Sequence, residues 1–291
     1  MSRTLVVGWF SFDQMGATAG DLLARDIVRG WLEDAGHRVD IAVAPPFSGG
    51  VDWREVDSHA YSHVVFVCGP FGNGPPVDEL LERFSGVPLI GVDLTMLEPL
   101  EAWNPFQLLL ERDSSRAVRP DLAFLAEPDP VPVVGLVLIG EQPEYGDRDQ
   151  HEQAADLLRR LLDRRAAAVV PIDTRLDENA TGLRTPSEIE SLIGRMDVVA
   201  TTRLHGLVLA LKQGVPAVVI DPVAGGGKIM RQAEVIGWER AFRVDEVSDA
   251  ILDHAFDACL AGEAGDRARA CADRAREHLS DVRGRFLAEV G

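Results

Sequence analysis

Seven short runs of apolar residues recur along the chain, each about the length of one β-strand. The runs are rich in β-branched residues, do not alternate with polar positions, and are bounded by Gly, Pro or Asp. Such runs are typical of strands that are buried on both faces, as in a parallel sheet. The pattern predicts strands at residues 4–10, 64–68, 88–92, 133–139, 167–172, 198–200 and 217–220.

Between these runs, apolar residues recur three or four positions apart, which is the spacing of one face of an α-helix. Leu23, Ile27 and Trp31 show this spacing in the first such segment. Strands that alternate with helices of this length predict βαβ units and therefore parallel sheets. The predicted helices cover residues 22–35, 150–164, 186–194, 204–213 and 228–236.

A proline-rich connector divides this pattern in two. Residues 127–132 read Glu-Pro-Asp-Pro-Val-Pro, and prolines at alternate positions exclude a helix and favour an extended segment. We therefore predict an N-terminal α/β domain at residues 1–127 and a C-terminal α/β domain at residues 132–291, with parallel sheets that face a cleft. The Arg- and Ala-rich residues 266–289 are predicted to form one final helix, a candidate to pack across both domains.

Charge narrows the possible partners. The 291 residues include 29 Lys and Arg against 47 Asp and Glu, for a net charge of −18. Such an acidic chain lacks the basic field that draws proteins to nucleic acid or anionic lipid, so an anionic substrate needs a local cationic pocket. The chain opens without a signal-peptide pattern, shows no apolar run near the ~20 residues of a membrane span, and has three scattered cysteines. We expect a cytoplasmic protein without a disulfide framework.

The most informative segment joins the predicted strand at 198–200 to the helix that follows it. Thr202 is expected to cap this helix, which places Arg203 and His205 in its first turn. Free N–H groups and the helix dipole favour an anion there, and the guanidinium adds a two-donor clamp for carboxylate or phosphate. Two cationic groups at this helix end would repel the dipole unless an anion binds. We predict an anion site.

A second cationic segment follows the next predicted strand. Three glycines precede Lys228, which opens a helix, and Arg231 lies one turn further on. Glycines let a backbone approach a ligand closely. Ile229 stands where a P-loop would have the Ser or Thr that binds magnesium, so this segment is not a P-loop.

Other candidate residues lie on N-terminal loops. The loop after the first strand lacks the GxGxxG spacing of a dinucleotide site, and its Asp13 and Asp21 are candidate substrate-binding residues. Asn73 lies in a Gly- and Pro-rich turn after the second predicted strand and is a further candidate. His59 and His63 have no evident third partner for a metal ion, and we predict no metal and no cofactor.

Several of these motifs together resemble the polysaccharide pyruvyl transferase family. The specific block is Thr-Arg-Leu-His-Gly at residues 202–206, followed by Gly-Val-Pro at 214–216 and by Lys228. The remaining matches are Gly-Asp-Leu-Leu at 20–23, Glu-Arg-Asp-Ser-Ser at 111–115 and Pro-Asp-Leu-Ala-Phe at 120–124.

This resemblance implies a fold and an activity. It implies a GT-B-like fold of two Rossmann-like domains, with the acceptor on the N-terminal side and the donor on the C-terminal side. It implies transfer of the enolpyruvyl group of phosphoenolpyruvate onto a sugar or glycan diol as a ketal, in polysaccharide biosynthesis. Arg203 and His205 match the pair that engages the donor, and Lys228 and Arg112 match further substrate-binding positions.

Two alternatives remain open at this stage. A GT-B glycosyltransferase would use the same cations to hold the diphosphate of a nucleotide sugar. A catalytically degenerate family member would bind an anionic ligand without turnover. The acceptor, the stereochemistry of the ketal and the oligomeric state are left open by the sequence.

Overall fold

The computed structural model describes residues 2–291, and the chain divides into two compact units between Pro128 and Asp129. Each unit contains one five-stranded sheet in which every paired strand is parallel to its neighbour. The predicted class, two α/β domains with parallel sheets, is confirmed. We refer to the N-terminal unit and the C-terminal unit.

The sheet of the N-terminal unit has the strand order β2-β1-β3-β4-β5. Short 3₁₀ helices follow β1 at Trp9–Ser11, precede β3 at Ser58–Ala60 and follow β5 at Leu122–Leu125. The strands are β1 (Arg3–Val7), β2 (Arg38–Ile41), β3 (His63–Phe71), β4 (Leu89–Met96) and β5 (Leu108–Leu110), and the helices are α1 (Ala19–Asp34) and α2 (Val77–Arg83).

Alternate residues of the central strands enter two separate cores. In β3, Val64 and Phe66 pack into an aromatic-rich core, whereas Val65 and Val67 pack against α1 on the opposite face. Side chains of a strand point alternately to its two faces, so a strand buried on both sides must be apolar at every position. This explains why its sequence shows a continuous apolar run.

The sheet of the C-terminal unit has the strand order β10-β9-β8-β6-β7. A 3₁₀ helix at Pro143–Arg148 follows its first strand. The strands are β6 (Val133–Val137), β7 (Ala168–Pro171), β8 (Val198–Thr201), β9 (Ala217–Asp221) and β10 (Ala241–Arg243). The helices are α3 (His151–Asp163), α4 (Pro186–Ile193), α5 (Leu204–Lys212), α6 (Lys228–Ile236), α7 (Asp249–Leu260), α8 (Ala264–His278) and α9 (Val282–Val290).

The two sheets share one topology, because each has its second strand outside its first and its third strand on the other side of the first. In the N-terminal unit, the chain that leaves β1 and the chain that leaves β3 run toward opposite edges of the sheet. In the C-terminal unit, the chains that leave β6 and β8 do the same. Ligands of open α/β sheets bind at such switch points, outside the carboxyl ends of the strands. The topology therefore gives each unit one preferred location for a site.

The sequence pattern missed the edge strands β2, β5 and β10. β2 reads Arg-Val-Asp-Ile, because an edge strand is only partly covered and its residues need not be apolar, whereas β5 and β10 have only three residues each. The prediction of one final helix over residues 266–289 was wrong, since α8 ends at His278 and α9 begins at Val282. Ser280 and Asp281 separate them, and such residues favour helix caps over helix interiors. Among the helices described, none has both the length and the apolar content needed to cross a bilayer.

Candidate active site

The junction between β8 and α5 holds the backbone at the start of the predicted anion site. The hydroxyl of Thr201 donates to the carbonyl of Val137 at 2.8 Å and accepts from the N–H of Arg203 at 2.9 Å. The prediction that Thr202 caps this helix was wrong. The hydroxyl of Thr202 instead accepts from the N–H of Ile139 at 2.9 Å. Arg203 occupies the N-cap position instead. The two threonines therefore tie the end of β8 to the end of β6.

The N-terminus of α5 is available to a ligand. Its N-cap, Arg203, makes no capping hydrogen bond through its side chain to any residue between 2 and 291. The first-turn N–H groups of a helix have no acceptor within the helix itself. Together with the positive end of the dipole, these groups favour a bound anion.

Arg203 is positioned by two polar residues that follow β7. Its Nη1 donates to Oδ1 of Asp173 at 3.2 Å and to Oγ1 of Thr174 at 3.1 Å. The side chain is only 13 % exposed, and its Nε has no acceptor in the described part of the chain. Burial lowers the pKa of the guanidinium, and the charge of Asp173 opposes that shift; an arginine remains charged in either case. The guanidinium is thus fixed on one side and keeps an unused donor.

His205 and Lys228 lie at the same pocket as Arg203. The pocket has a volume of about 480 Å³ and lies wholly within the C-terminal unit, at the switch point between β6 and β8. His205 is exposed in the first turn of α5. Lys228 opens α6, and its Nζ lies 5.7 Å from the centre of the Tyr145 ring. The structure therefore brings together three candidates of this unit that the sequence predicted: Arg203, His205 and Lys228.

The charge of this pocket is mixed. Arg175 adds a third permanent cation to Arg203 and Lys228, whereas Glu141 and Glu144 line the same pocket. Glu141 and Glu144, together with Asp173 beside Arg203, restrict where an anion can bind. The first turn of α5 and the donors of Arg203 that Asp173 does not hold are the groups that suit a phosphate or carboxylate.

The N-terminus of α6 is capped by a side chain of the C-terminal unit itself. Buried Asp221 accepts from the N–H of Gly227 at 2.8 Å and from the N–H of Met230 at 3.0 Å. An internal carboxylate thus already occupies this helix end. Arg231 is exposed and is not among the residues that line the pocket.

The candidates of the N-terminal unit form a separate group. Asp21 and Arg112 line a pocket of about 390 Å³ at the switch point between β1 and β3, together with Trp9. Asp21 also accepts from the N–H and the hydroxyl of Thr18, both at 2.7 Å, and so caps α1. Asp13 and Asn73 are exposed and are not part of this pocket lining.

Besides Arg175, Glu141 and Glu144, four residues in or beside the C-terminal pocket were not singled out from the sequence: Gln142, Tyr145, Asp173 and Thr174. Asp173 and Thr174 come directly after the predicted strand at 167–172, so their position at the carboxyl edge was visible. Their contact with Arg203 could not be predicted, because the sequence does not reveal that β7 and β8 are both neighbours of β6. Gln142 is buried, and its Oε1 has no partner between residues 2 and 291.

Comparison with known families gives a match that includes the β8–α5 junction. Residues 109–222 match the sequence model of the polysaccharide pyruvyl transferase family. The predicted family resemblance is confirmed over these residues. The match assigns this segment to a family of transferases, and it contains Arg112, Asp173, Arg203 and His205. Lys228 lies beyond it.

The solved structures that match this chain do so at low sequence identity and low TM-score. A protein from Anabaena in complex with UDP and glucose is 14% identical, with 99% of this chain and 100% of that chain covered and a TM-score of 0.35. A UDP-GlcNAc 2-epimerase from Methanocaldococcus jannaschii is 10% identical, with coverage of 96% and 100% and a TM-score of 0.32. A spinosyn rhamnosyltransferase complexed with thymidine diphosphate is 14% identical, with coverage of 94% and 95% and a TM-score of 0.33. No curated protein matches the chain.

Proposed function

We propose that this protein is a pyruvyl transferase that moves the enolpyruvyl group of phosphoenolpyruvate onto two hydroxyls of a sugar as a ketal. The single observation that carries the proposal is the placement of Arg203 and His205 at the open N-terminus of α5, within a segment that matches the family. In this proposal the C-terminal unit binds the donor and the N-terminal unit binds the acceptor.

The donor has two anionic groups, and the C-terminal pocket offers suitable partners for both. The Arg203 guanidinium matches a carboxylate or phosphate with parallel donors, whereas the Lys228 ammonium acts as a point charge. Asp173 and Thr174 hold Nη1 of Arg203, which leaves Nη2 of the fork for a ligand. Because the fork is already held in place, donor binding immobilises fewer rotamers.

The chemistry requires one proton to reach the methylene carbon of the donor. The positive centre that develops at C2 is attacked by the first sugar hydroxyl, and the second hydroxyl displaces phosphate to close the ketal. Of the two hydroxyl protons, one replaces the proton delivered to the methyl group and the other leaves with phosphate. His205, exposed at the pocket, is proposed to handle these protons, since imidazole exchanges protons near neutral pH.

A binding panel separates this proposal from its alternatives. A ligand that binds only the folded state raises the melting temperature by mass action. We expect phosphoenolpyruvate to raise the melting temperature of the unsubstituted protein but not that of an Arg203→Ala variant. Stabilisation by UDP or GDP without any effect of phosphoenolpyruvate would instead identify a nucleotide-sugar glycosyltransferase.

Turnover is tested separately from binding. We expect phosphate release from phosphoenolpyruvate to depend on an added sugar acceptor, and mass spectrometry to detect the pyruvyl ketal on that sugar. Phosphoenolpyruvate binding without phosphate release across an acceptor panel would support a degenerate, ligand-binding family member.

A further inference from the structure

Two neighbouring strands of the N-terminal unit change backbone conformation at the same level. Cys68 in β3 has a φ of 63° and Asp93 in β4 has a φ of 60°, a left-handed region that residues other than glycine seldom occupy. The two residues lie opposite each other, between the pairs Val67–Val92 and Gly69–Leu94. Backbone of this kind costs ~1–3 kcal/mol per residue. The paired inversion brings a thiol and a carboxyl group together.

Asp121 completes this group. One ligand atom from each of Cys68, Asp93 and Asp121 lies within 4.8 Å of the other two. Asp93 is only 5 % exposed; its Oδ1 accepts from the N–H of Leu122 at 3.1 Å, whereas its buried Oδ2 has no partner among residues 2–291. A buried carboxylate oxygen without a partner is costly. It therefore indicates that a ligand belongs in this cluster.

We propose that Cys68, Asp93 and Asp121 form a binding site for a divalent transition-metal ion, and that Zn²⁺ fits it best. A thiolate ligand favours Zn²⁺ over the hard cations Mg²⁺ and Ca²⁺, which prefer larger sets of oxygen ligands. Cys68 and Asp121 line the pocket of the N-terminal unit, so the ion is reached from solvent. Three protein ligands leave a fourth position for water or a substrate oxygen.

The three ligand atoms need to move only a short distance toward one another to bind an ion. With Zn–S near ~2.3 Å and Zn–O near ~2.0 Å, the ligand atoms of a tetrahedral site lie ~3.5 Å apart. The three ligand atoms are within 4.8 Å of one another, so side-chain shifts of about 1 Å would bring them onto the ion.

Arg112 is the group that would oppose a cation here, and it also balances the charge. Its Nη1 donates to Oδ2 of Asp121 at 2.6 Å and lies 3.7 Å from Sγ of Cys68. One thiolate and two carboxylates carry three negative charges, which a dication and the guanidinium neutralise together. The other oxygen of Asp121, Oδ1, accepts from the N–H of Ala123 at 2.8 Å and has a second lone pair for the ion.

This site was not predicted from the sequence, because residues 68, 93 and 121 belong to three separate segments without metal-ligand spacing. Only the neighbouring positions of β3 and β4, and the chain that returns after β5, bring them together. The inference does not rest on the proposed pyruvyl transfer, since it concerns the N-terminal unit alone.

Metal binding by the full chain tests the proposal. After chelation and buffer exchange, equilibrium dialysis with Zn²⁺ is expected to give one ion per chain. Titration with Co²⁺ is expected to give the near-ultraviolet charge-transfer band of a cobalt–thiolate bond. Cys68→Ser should remove this band and weaken Zn²⁺ binding by at least ~10-fold, and Asp93→Asn should weaken it similarly while the band persists.

Cys271→Ser is the matched control, because Cys271 is also a buried free thiol but belongs to the C-terminal unit. It should leave both the band and the affinity unchanged. The proposal is overturned if the unsubstituted protein binds no Zn²⁺ stoichiometrically or gives no thiolate band with Co²⁺, whichever variants fold. A band that survives in folded Cys68→Ser would also overturn it.

Discussion

Arg203 and Asp173 form an ion pair across the carboxyl end of β6, with Nη1 of the arginine 3.2 Å from Oδ1 of the aspartate. Arg203 follows β8 and Asp173 follows β7, the two strands that flank β6. The pair therefore joins three strands at the switch point where α/β sheets bind ligands. A guanidinium held in this way is already oriented before a donor arrives, which is how rigid supporting residues improve binding.

The first prediction concerns the shape of this cation. Arg203→Lys keeps the charge but removes the planar fork and the donors toward Asp173 and Thr174. We expect the dissociation constant for phosphoenolpyruvate to rise by about 10- to 100-fold, which corresponds to the loss of one charge-assisted hydrogen bond. Isothermal titration measures this change.

Arg159→Lys is the control for this variant, since Arg159 is an exposed arginine of α3 that pairs with Asp156. It should bind phosphoenolpyruvate as the unsubstituted protein does. An Arg203→Lys protein with unchanged affinity would remove Arg203 from the donor site.

The second prediction separates proton handling from binding. His205→Gln keeps a hydrogen-bonding side chain at the pocket but cannot transfer a proton. We expect the turnover number for phosphate release to fall by about 100- to 10,000-fold with little change in donor affinity, since general acid–base catalysis acts in the transition state. His254→Gln, at an exposed position of α7, is the matched control. Equal losses of affinity and turnover would make His205 a binding residue.

The central strands could be predicted because burial on both faces leaves a direct mark in the sequence, whereas helices α2 and α7 were not predicted. β8 and β9 are buried at every position, and both were found from their apolar runs. The contacts of the site left no such mark. Asp173 lies 30 residues before Arg203 in the chain, and their contact depends on the strand order, which local pattern does not determine.

The sequence also did not predict which side chains bind the N–H groups at the helix ends. Thr202 was interpreted from its residue type as a helix cap, and the role of Asp221 was not predicted. In the structure Thr202 bonds back to the end of β6, and Asp221 accepts hydrogen bonds from the start of α6. A polar residue at such a junction can satisfy several neighbouring N–H groups, and only the three-dimensional arrangement selects among them.

The third prediction concerns the glycine of the Arg-Leu-His-Gly block. A methyl group at Gly206 would clash with the hydroxyl of Thr201, which holds the N–H of Arg203 at 2.9 Å. Gly206→Ala must therefore displace either α5 or that hydroxyl. We expect the free energy of unfolding to fall by ~1–3 kcal/mol, and the affinity for phosphoenolpyruvate to fall with it. Urea denaturation and titration measure the two effects.

Gly30→Ala is a control for which we expect the free energy of unfolding to change in the opposite direction. Gly30 lies within α1, and an added Cβ there meets no atom of the described chain within 4 Å. Alanine should raise the free energy of unfolding by ~0.5–1 kcal/mol, because it has the higher helix propensity. If both variants gained stability alike, close packing of α5 on β8 would not be the reason for Gly206.

The last prediction concerns Glu111, whose side chain is 0% exposed beside Arg116 and Arg119. Each carboxylate oxygen accepts at 2.8 Å from an arginine, and the hydroxyl of Ser114 donates to Oε1 at 3.1 Å. Hydrogen bonds from Arg116 are the largest cause that holds the pKa of Glu111 well below its usual value of 4.5, against the opposing effect of burial. The ionised carboxylate therefore stabilises the N-terminal unit.

A lowered pKa in the folded state means that this stabilisation is complete above the unfolded pKa and is lost as the pH falls toward the folded value. Glu111→Gln should therefore lower the free energy of unfolding by ~2–3 kcal/mol near neutral pH, and the difference should shrink between about pH 5 and pH 3. Urea denaturation across that range measures it. Glu33→Gln, in the exposed pair with Arg29, should change stability by less than ~0.5 kcal/mol. A Glu111→Gln deficit that is the same at every pH would instead assign the effect to packing.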